Sequence, residues 1–292
     1  MELKKEVQSF WDSQPCGTKF TRHGWGTPEF FRSLEEHRYR LEPHIAELAA
    51  FPATLGKRVL EIGCGLGTDG VQFAKAGASY VGLDLSLRSV PLAKKNFEWQ
   101  NLSASLLVSD AESLPIRDDS VDVVYSHGVL HHTPRVQEAV NEIHRVLQPG
   151  GLAVVMLYHR SSFNYYVGIL FLRRLGALLL YSDWGVQLLH RLTGDRLAHL
   201  QEHSRRLRAQ GWRYLMGGAW LNNNTDGVGN PLSRVFTRKE VSRLFGQFSR
   251  VRTQVRFLHM EWFPLFGKLL PRSTDLALGK VLGWHLYVLA EK

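Results

Sequence analysis

The chain has 292 residues, 44% of them hydrophobic, enough to bury a large core as one elaborated α/β domain or as a domain with a substantial cap, and this excludes an intrinsically disordered chain. Its two cysteines, Cys16 and Cys64, lie in unrelated contexts without metal-ligand spacing, which excludes a disulfide framework and fits a reducing compartment. The net charge of +9 is uneven: residues 1–150 carry 16 basic against 19 acidic side chains and residues 151–292 carry 20 against 8, so an anionic substrate, an anionic membrane surface, nucleic acid or plain solvation of the second half each accounts for it.

Residues 1–57 read as a helical extension. MELKKEVQSFW lacks the apolar segment of a signal peptide, so a cytoplasmic location is expected. A first helix is predicted over about Leu3 to Trp11. The Gly-, Pro- and Trp-containing loop SQPCGTKFTRHGWGTPEF follows, then a longer helix from about Pro28 to Phe51.

The stretch Arg58 to Gly67, RVLEIGCGLG, organises the rest. Val59, Leu60 and Ile62 suit a buried parallel strand. Gly63, Gly65 and Gly67 permit positive φ and a close approach of backbone to a ligand. A helix is predicted from Thr68, with Thr68 as its N-cap and Gly77 as its stop, so its free N–H groups face the turn. Two cofactor classes use such a turn: dinucleotides with G-x-G-x-x-G, and S-adenosylmethionine (SAM), commonly with G-x-G-x-G. The dinucleotide pattern needs Gly or Ala where Thr68 stands, so the spacing disfavours NAD.

Further motifs follow in order. Asp84 closes the strand SYVGLDL, where a carboxylate can accept from both ribose hydroxyls. SLRSVPLAKKNFEWQ makes a helix capped by Ser86. Asp110 closes ASLLVSD and is followed by Ala111 and Glu112, a position suited to the exocyclic amine of adenine. VDVVYSHGVLHH is a fourth strand and its exit, RVLQPGG closes the next helix, and Gly151 to Tyr158 is a fifth strand. His131 and His132 lie at the exit, where histidine suits proton removal. The alternative is that one of them packs against the next helix, capped by Thr133 with Pro134 at its first position. No local carboxylate or third histidine gives metal spacing, so no metal is expected.

On these motifs the stretch from Arg58 to Tyr158 resembles the class I SAM-dependent methyltransferases, nearest the small-molecule type of the ubiquinone/menaquinone-biosynthesis group with its LHH and RVLxPGG signatures. The resemblance covers about a third of the chain. It implies an α/β, Rossmann-like seven-stranded sheet of order 3-2-1-4-5-7-6. It also implies that Glu61, Gly63, Gly65 and Gly67 surround the methionine part of SAM, Asp84 the ribose, and Asp110 with Ala111 the adenine. The extension then becomes a helical lid, with Trp11, Cys16, Gly17 and Trp25 as candidate contacts, unless these aromatics merely hold a surface loop. Cys16 precedes the fold and is read as non-nucleophilic. The exit sequence Ser126 to Val129 lacks the Asp/Asn-Pro-Pro-aromatic motif of amino-methyltransferases, which disfavours nucleic acid as partner.

Beyond the fifth strand, Ser161 to Leu215 reads as Leu- and Arg-rich helices whose apolar runs are too short to span a bilayer. A cap over an acceptor pocket and an interfacial membrane contact both fit. Tyr158, His159, Asn164, Tyr165 and Tyr166 open this cap as acceptor-pocket candidates, Tyr158 and His159 also as second candidates for a base. GGAWLNNNTDGVGNPLSRV is expected to be irregular, with Asn224, Asp226 and Asn230 as polar contacts. Thr237 to Glu240 is a capping box opening a helix to Phe245. VRTQVRFLHM and GWHLYVLA, separated by WFPLFGKLLPRSTDLALGK, supply the last two strands.

The expected organisation is therefore 1–57 lid, 58–160 SAM-binding core, 161–235 helical cap and loop insertion, and 236–292 the end of the fold. The expected function is methyl transfer from SAM to an O, N, S or C atom of a small or medium-sized acceptor, anionic or lipophilic. A membrane-associated methyltransferase of a quinone or lipid is the first alternative. A SAM-binding or nucleic-acid-binding protein without turnover is the second.

Overall fold

A computed structural model describes residues 2–258, 260 and 271–292; residue 259 and residues 261–270, which include the first half of the expected segment between the last two strands, lie outside the described residues. Two compact units form. One comprises Met1–Leu157, Arg238–Gln254 and Leu286–Lys292, the other Tyr158–Thr237 and Val255–His285.

The chain enters through α1 (Glu2–Ser13), α2 (Pro28–Leu41) and α3 (His44–Ala49). It then alternates β1 (Arg58–Ile62), α4 (Thr68–Lys75), β2 (Ser79–Asp84), α5 (Ser89–Trp99) and β3 (Ser105–Val108). After β4 (Val121–His127) come α6 (Val136–Val146) and β5 (Leu147–Tyr158). The seven-stranded sheet has the order β3-β2-β1-β4-β5-β7-β6, with β6 at Arg250–Arg256 and β7 at His285–Glu291. This is the expected order. It arises because β1 to β5 pair in parallel, with helices linking all of them but β3 and β4, which a loop over 109–120 joins. β7 runs antiparallel to β5: Gly150 N–H donates to Lys292 O at one end and His159 N–H to Trp284 O at the other. β1 is buried from Val59 onward, and α6 buries Ala139, Val140, Ile143 and Val146 along one stripe, so both read as apolar where they face the core.

Several boundaries depart from expectation. The helix expected over Pro28 to Phe51 is two helices. Pro43 lacks an N–H and restricts Glu42, which sits at φ −120°, ψ 58°, so α2 stops at Leu41 and α3 restarts at His44. Thr68 is the first helical residue rather than the cap, because Gly67 takes that place at φ +75°. α5 starts at Ser89, not Ser86, although Ser86 Oγ accepts from the Arg88 and Ser89 N–H groups and so still satisfies that terminus. α6 starts at Val136, two residues past Pro134. β5 begins at Leu147, so LQPGG joins the sheet rather than following the helix as a loop. Gly150 at φ +76° absorbs the register shift between Val121 and Val123.

In the second unit, the helices after β5 include Asn164–Leu172, wound with widened turns, α7 (Arg173–Ala177), α8 (Asp183–Thr193) and α9 (Leu197–Gln210). The segment expected to be irregular contains α10 (Gly218–Thr225). Trp220 anchors it, buried, with its indole N–H donating to Ile169 O at 2.9 Å. The Asn223 and Asn224 amides donate to the Ala219 and Trp220 carbonyls one turn back, so they bond along the helix instead of competing with it. Residues 226–235 are irregular, as expected. α11 (Arg238–Leu244) follows Thr237, and α12 (Arg272–Leu282) precedes β7.

Candidate functional site

The three glycines after β1 have positive φ, at 77°, 51° and 75° for Gly63, Gly65 and Gly67, each for its own reason. A Cβ on Gly63 would lie 2.0 Å from Val129 Cγ2, so the turn and the β4 exit pack backbone against side chain. A Cβ on Gly67 would press on Phe97 of α5 at 3.1 Å. At Gly65 nothing lies within 4 Å, so its bare backbone borders open space at the start of α4, where helical N–H groups are unsatisfied. Gly63→Ala should therefore unfold or displace the Val129 loop, costing about 1–3 kcal/mol as an overpacked and left-handed site. Gly65→Ala should keep more stability and lose cofactor affinity instead. Thermal melts and SAM titration of the two variants check this, and equal behaviour would contradict it.

Asp84 ties this turn to β2. Its Oδ2 accepts the Gly65 N–H at 2.8 Å and its Oδ1 the Ser86 N–H at 2.8 Å. Each oxygen keeps a further lone pair. Burial raises its pKa, opposed by the Ser86 and Gly65 N–H donors. Glu61 is buried beneath the turn and accepts from the Tyr80 hydroxyl at 2.5 Å. Burial, then the charge of Asp69, pushes Glu61 well above the carboxylate range.

Helix α1 lies across the ends of these strands. Lys4 Nζ pairs with Asp110 and, at 2.5 Å, with Glu112. Gln8 Nε2 donates to Leu85 O at 2.9 Å, and Asp12 Oδ1 accepts from Ser86 Oγ at 2.7 Å. Trp11 meets His132 edge-on at 5.2 Å. Positions 4, 8, 11 and 12 share one helical face, so one face of α1 reads the exits of β2, β3 and β4. Glu112 also accepts from Arg135 N and Nε, at 2.7 and 2.9 Å. Burial works to raise Glu112, but Lys4 and Arg135 hold it below the usual range. Lys4→Ala removes the tie to a buried carboxylate. The α1 amides should then exchange about tenfold faster, corresponding to about 1.4 kcal/mol; unchanged exchange by mass spectrometry would show that α1 is held by its apolar residues alone.

The remaining candidates are placed as follows. His131 and His132 are both buried in the short turn Leu130–His132, their rings 4.3 Å apart. Ala111 lies between Asp110 and Glu112, partly exposed. Of the lid candidates beside Trp11, Gly17 packs near Leu34, while Cys16 and Trp25 are exposed. Tyr158, His159, Asn164, Tyr165, Tyr166 and Asp226 belong to the second unit. There Tyr158 donates to Asp226 Oδ1 at 2.7 Å and stacks on Trp284, and His159 Nδ1 lies 3.1 Å from Gly283 O. Asn164 is buried, Tyr165 meets Tyr166 edge-on, and Tyr166 is exposed. Asn230 donates to Ser233 Oγ at 2.8 Å.

Two clusters escaped the sequence reading. Asp69, in the first turn of α4, is buried and accepts from Arg38 Nε and Nη2 at 2.8 and 2.5 Å, from Tyr39 at 2.8 Å and from Tyr125 at 2.9 Å. Burial opposes its charge, yet Arg38 outweighs burial and holds Asp69 below the ordinary range. The second cluster joins His127 at the end of β4 to Glu42 and Tyr287.

The sheet order, the glycine turn at the end of β1 and the acid at the end of β2 define the class I methyltransferase architecture. Residues 60–155, about a third of the chain, match the methyltransferase-domain family. An uncharacterised methyltransferase of Synechocystis sp. is 36% identical over 129 residues, 44% of this chain and 57% of that protein. The demethylmenaquinone methyltransferase of Streptomyces avermitilis is 35% identical over 106 residues, covering 36% of this chain and 44% of that protein. The chain thus spans about half the length of these curated relatives. The crystal structure of magnesium protoporphyrin IX methyltransferase from Synechocystis, with bound S-adenosylhomocysteine (SAH), aligns with a TM-score of 0.56 at 13% identity, over 99% of both chains, a likeness of fold.

Proposed function

We propose that the protein transfers the methyl group of SAM to a small or medium-sized acceptor. The observation that carries this is the unit formed by Gly65 and Asp84: an open, Cβ-free backbone step joined by a hydrogen bond to a carboxylate with accepting capacity to spare. The residues fit the cofactor. Gly63, Gly65 and Gly67 would hold its methionine end, Asp84 its ribose hydroxyls, and Asp110 with Ala111 its adenine. When bound, SAM supplies an activated methyl on a sulfonium, so the protein's share is alignment and exclusion of water. Helix α1, latched by Lys4, Gln8 and Asp12, supports the role of a lid. His131 or His132 is proposed to contact the acceptor at the β4 exit, with Tyr158 and His159 as second candidates. Asn164, Tyr165, Tyr166 and Asp226 are proposed as acceptor-binding residues.

A second reading sends the same chemistry to a lipophilic acceptor at a membrane surface. It is supported by large apolar side chains left exposed between Phe171 and Met216, among them Trp184 at 70% and Trp212 at 66%, beside an excess of arginine. The name of the demethylmenaquinone relative points the same way. No helix among the described residues is long and apolar enough to cross a membrane, and the contact proposed here is a peripheral one. Incubation with tritiated-methyl SAM, water-soluble phenols and carboxylates, and vesicles carrying a quinol separates the readings by where the label partitions. No SAH above the blank with any acceptor class would count against methyl transfer.

A further inference from the structure

We propose that the Glu42 carboxylate, beside the His127 ring that Tyr287 in turn holds, takes the proton from the acceptor as it is methylated. This rests on the methyl-transfer reading and assigns a residue that no sequence motif marks.

The β1–β4 register pairs Glu61, the penultimate residue of β1, with Tyr125, so His127, two residues on, ends β4 level with the point where β1 gives way to the glycine turn. Val129, two residues past His127, is the side chain on which Gly63 closes. His127 therefore stands beside the glycine turn proposed for the methionine end of the cofactor. Tyr125 and His127 project to one face of the sheet, their rings 6.3 Å apart, and Tyr125 reaches Asp69 of α4 on that face. Glu42, between α2 and α3, comes to the same face because Pro43 breaks the helix there.

His127 Nε2 lies 2.9 Å from Tyr287 Oη and 3.5 Å from Glu42 Oε2, and His44 meets the Tyr287 ring edge-on. The charged or titratable neighbours in this unit are Arg38 and Glu42 at the end of α2, His44 on α3, Asp69 on α4, His131 past β4 and Tyr287 on β7. Burial, followed by Arg38, His44 and His131, holds His127 well below the usual imidazole range, so the ring is neutral near pH 7. Burial also pushes Glu42 up to about 7, against the pull of Arg38. A carboxyl that titrates near the working pH is suited to accept a proton and release it again. In the step, the acceptor's lone pair bonds the methyl carbon and the sulfur keeps the electron pair of the broken carbon–sulfur bond. The acceptor's proton passes to Glu42, which returns it to solvent. His127 is the positioning residue.

The test uses the full chain with histidine labelled for NMR, free and saturated with SAM or SAH, saturation being set by calorimetry. His127→Asn identifies the His127 resonance. The expected result is a step near pH 7 sensed by His127, absent in Glu42→Gln, with its midpoint about one pH unit lower with SAM than with SAH. The two ligands differ by one positive charge, which favours the carboxylate form if it lies nearby. An equal midpoint in the two complexes, or a step that persists in Glu42→Gln, overturns the proposal. The wild-type comparison decides even if that variant does not fold. If neither SAM nor SAH binds, the methyl-transfer reading itself falls, and this inference with it.

Discussion

Asp84→Ala should weaken SAM binding by roughly 5- to 150-fold, the range that about 1–3 kcal/mol spans when a polar partner is removed. Two effects add. The ribose loses its acceptor, and the Gly65 and Ser86 N–H groups lose theirs, both at 2.8 Å, so the turn that should hold the methionine end is no longer fixed to β2. Asp84→Asn keeps one accepting oxygen and should fall between the alanine variant and the wild type. Calorimetry on the three proteins gives the order. Equal affinity in all three would mean that the ribose lies elsewhere.

Arg38→Ala is expected to be the most damaging change to stability. It leaves Asp69 buried with two tyrosine hydroxyls but no counter-charge, and an unpaired buried charge costs about 3–5 kcal/mol. Arg38 belongs to α2 and Asp69 to α4, so the loss also frees the N-terminal extension from the helix that follows the glycine turn. The pH dependence has a definite sign. The folded value of Asp69 is depressed, so its contribution is present above the unfolded carboxyl value of about 3.9 and is lost as pH falls through the lower folded value. The gap between wild type and Arg38→Ala in urea denaturation should therefore be full at pH 7 and shrink below about pH 4. A gap that is small at pH 7 would show that the two tyrosines suffice.

What the sequence made legible follows from how local each signal is. The glycine turn, Asp84 and Asp110 sit at strand ends, where β-rich apolar runs break, and one strand end can be read without knowing its neighbours. The strand order came from the resemblance, and β6 and β7 fit it because VRTQVR and HLYVLA are β-rich. The buried clusters were not legible, since Arg38 with Asp69, and Glu42 with His127 and Tyr287, are brought together only by packing. Lys4, Gln8 and Asp12 did carry a local signal, polar residues at i, i+4 and i+8 on an otherwise amphipathic helix. Their partners at Asp110, Leu85 and Ser86 lie 74 to 106 positions away. Composition misjudged Gly218–Thr225, because one buried tryptophan and two asparagines bonding back along the helix outweigh low helix propensity.

The most direct measurement is calorimetric titration of the purified protein with SAM, SAH and NADH, with Asp84→Ala as the control. One-site binding of SAM and SAH, weakened in the variant, and no heat from NADH are the expected results. Binding of NADH with neither SAM nor SAH would contradict them, because the glycine turn would then serve a dinucleotide despite Thr68.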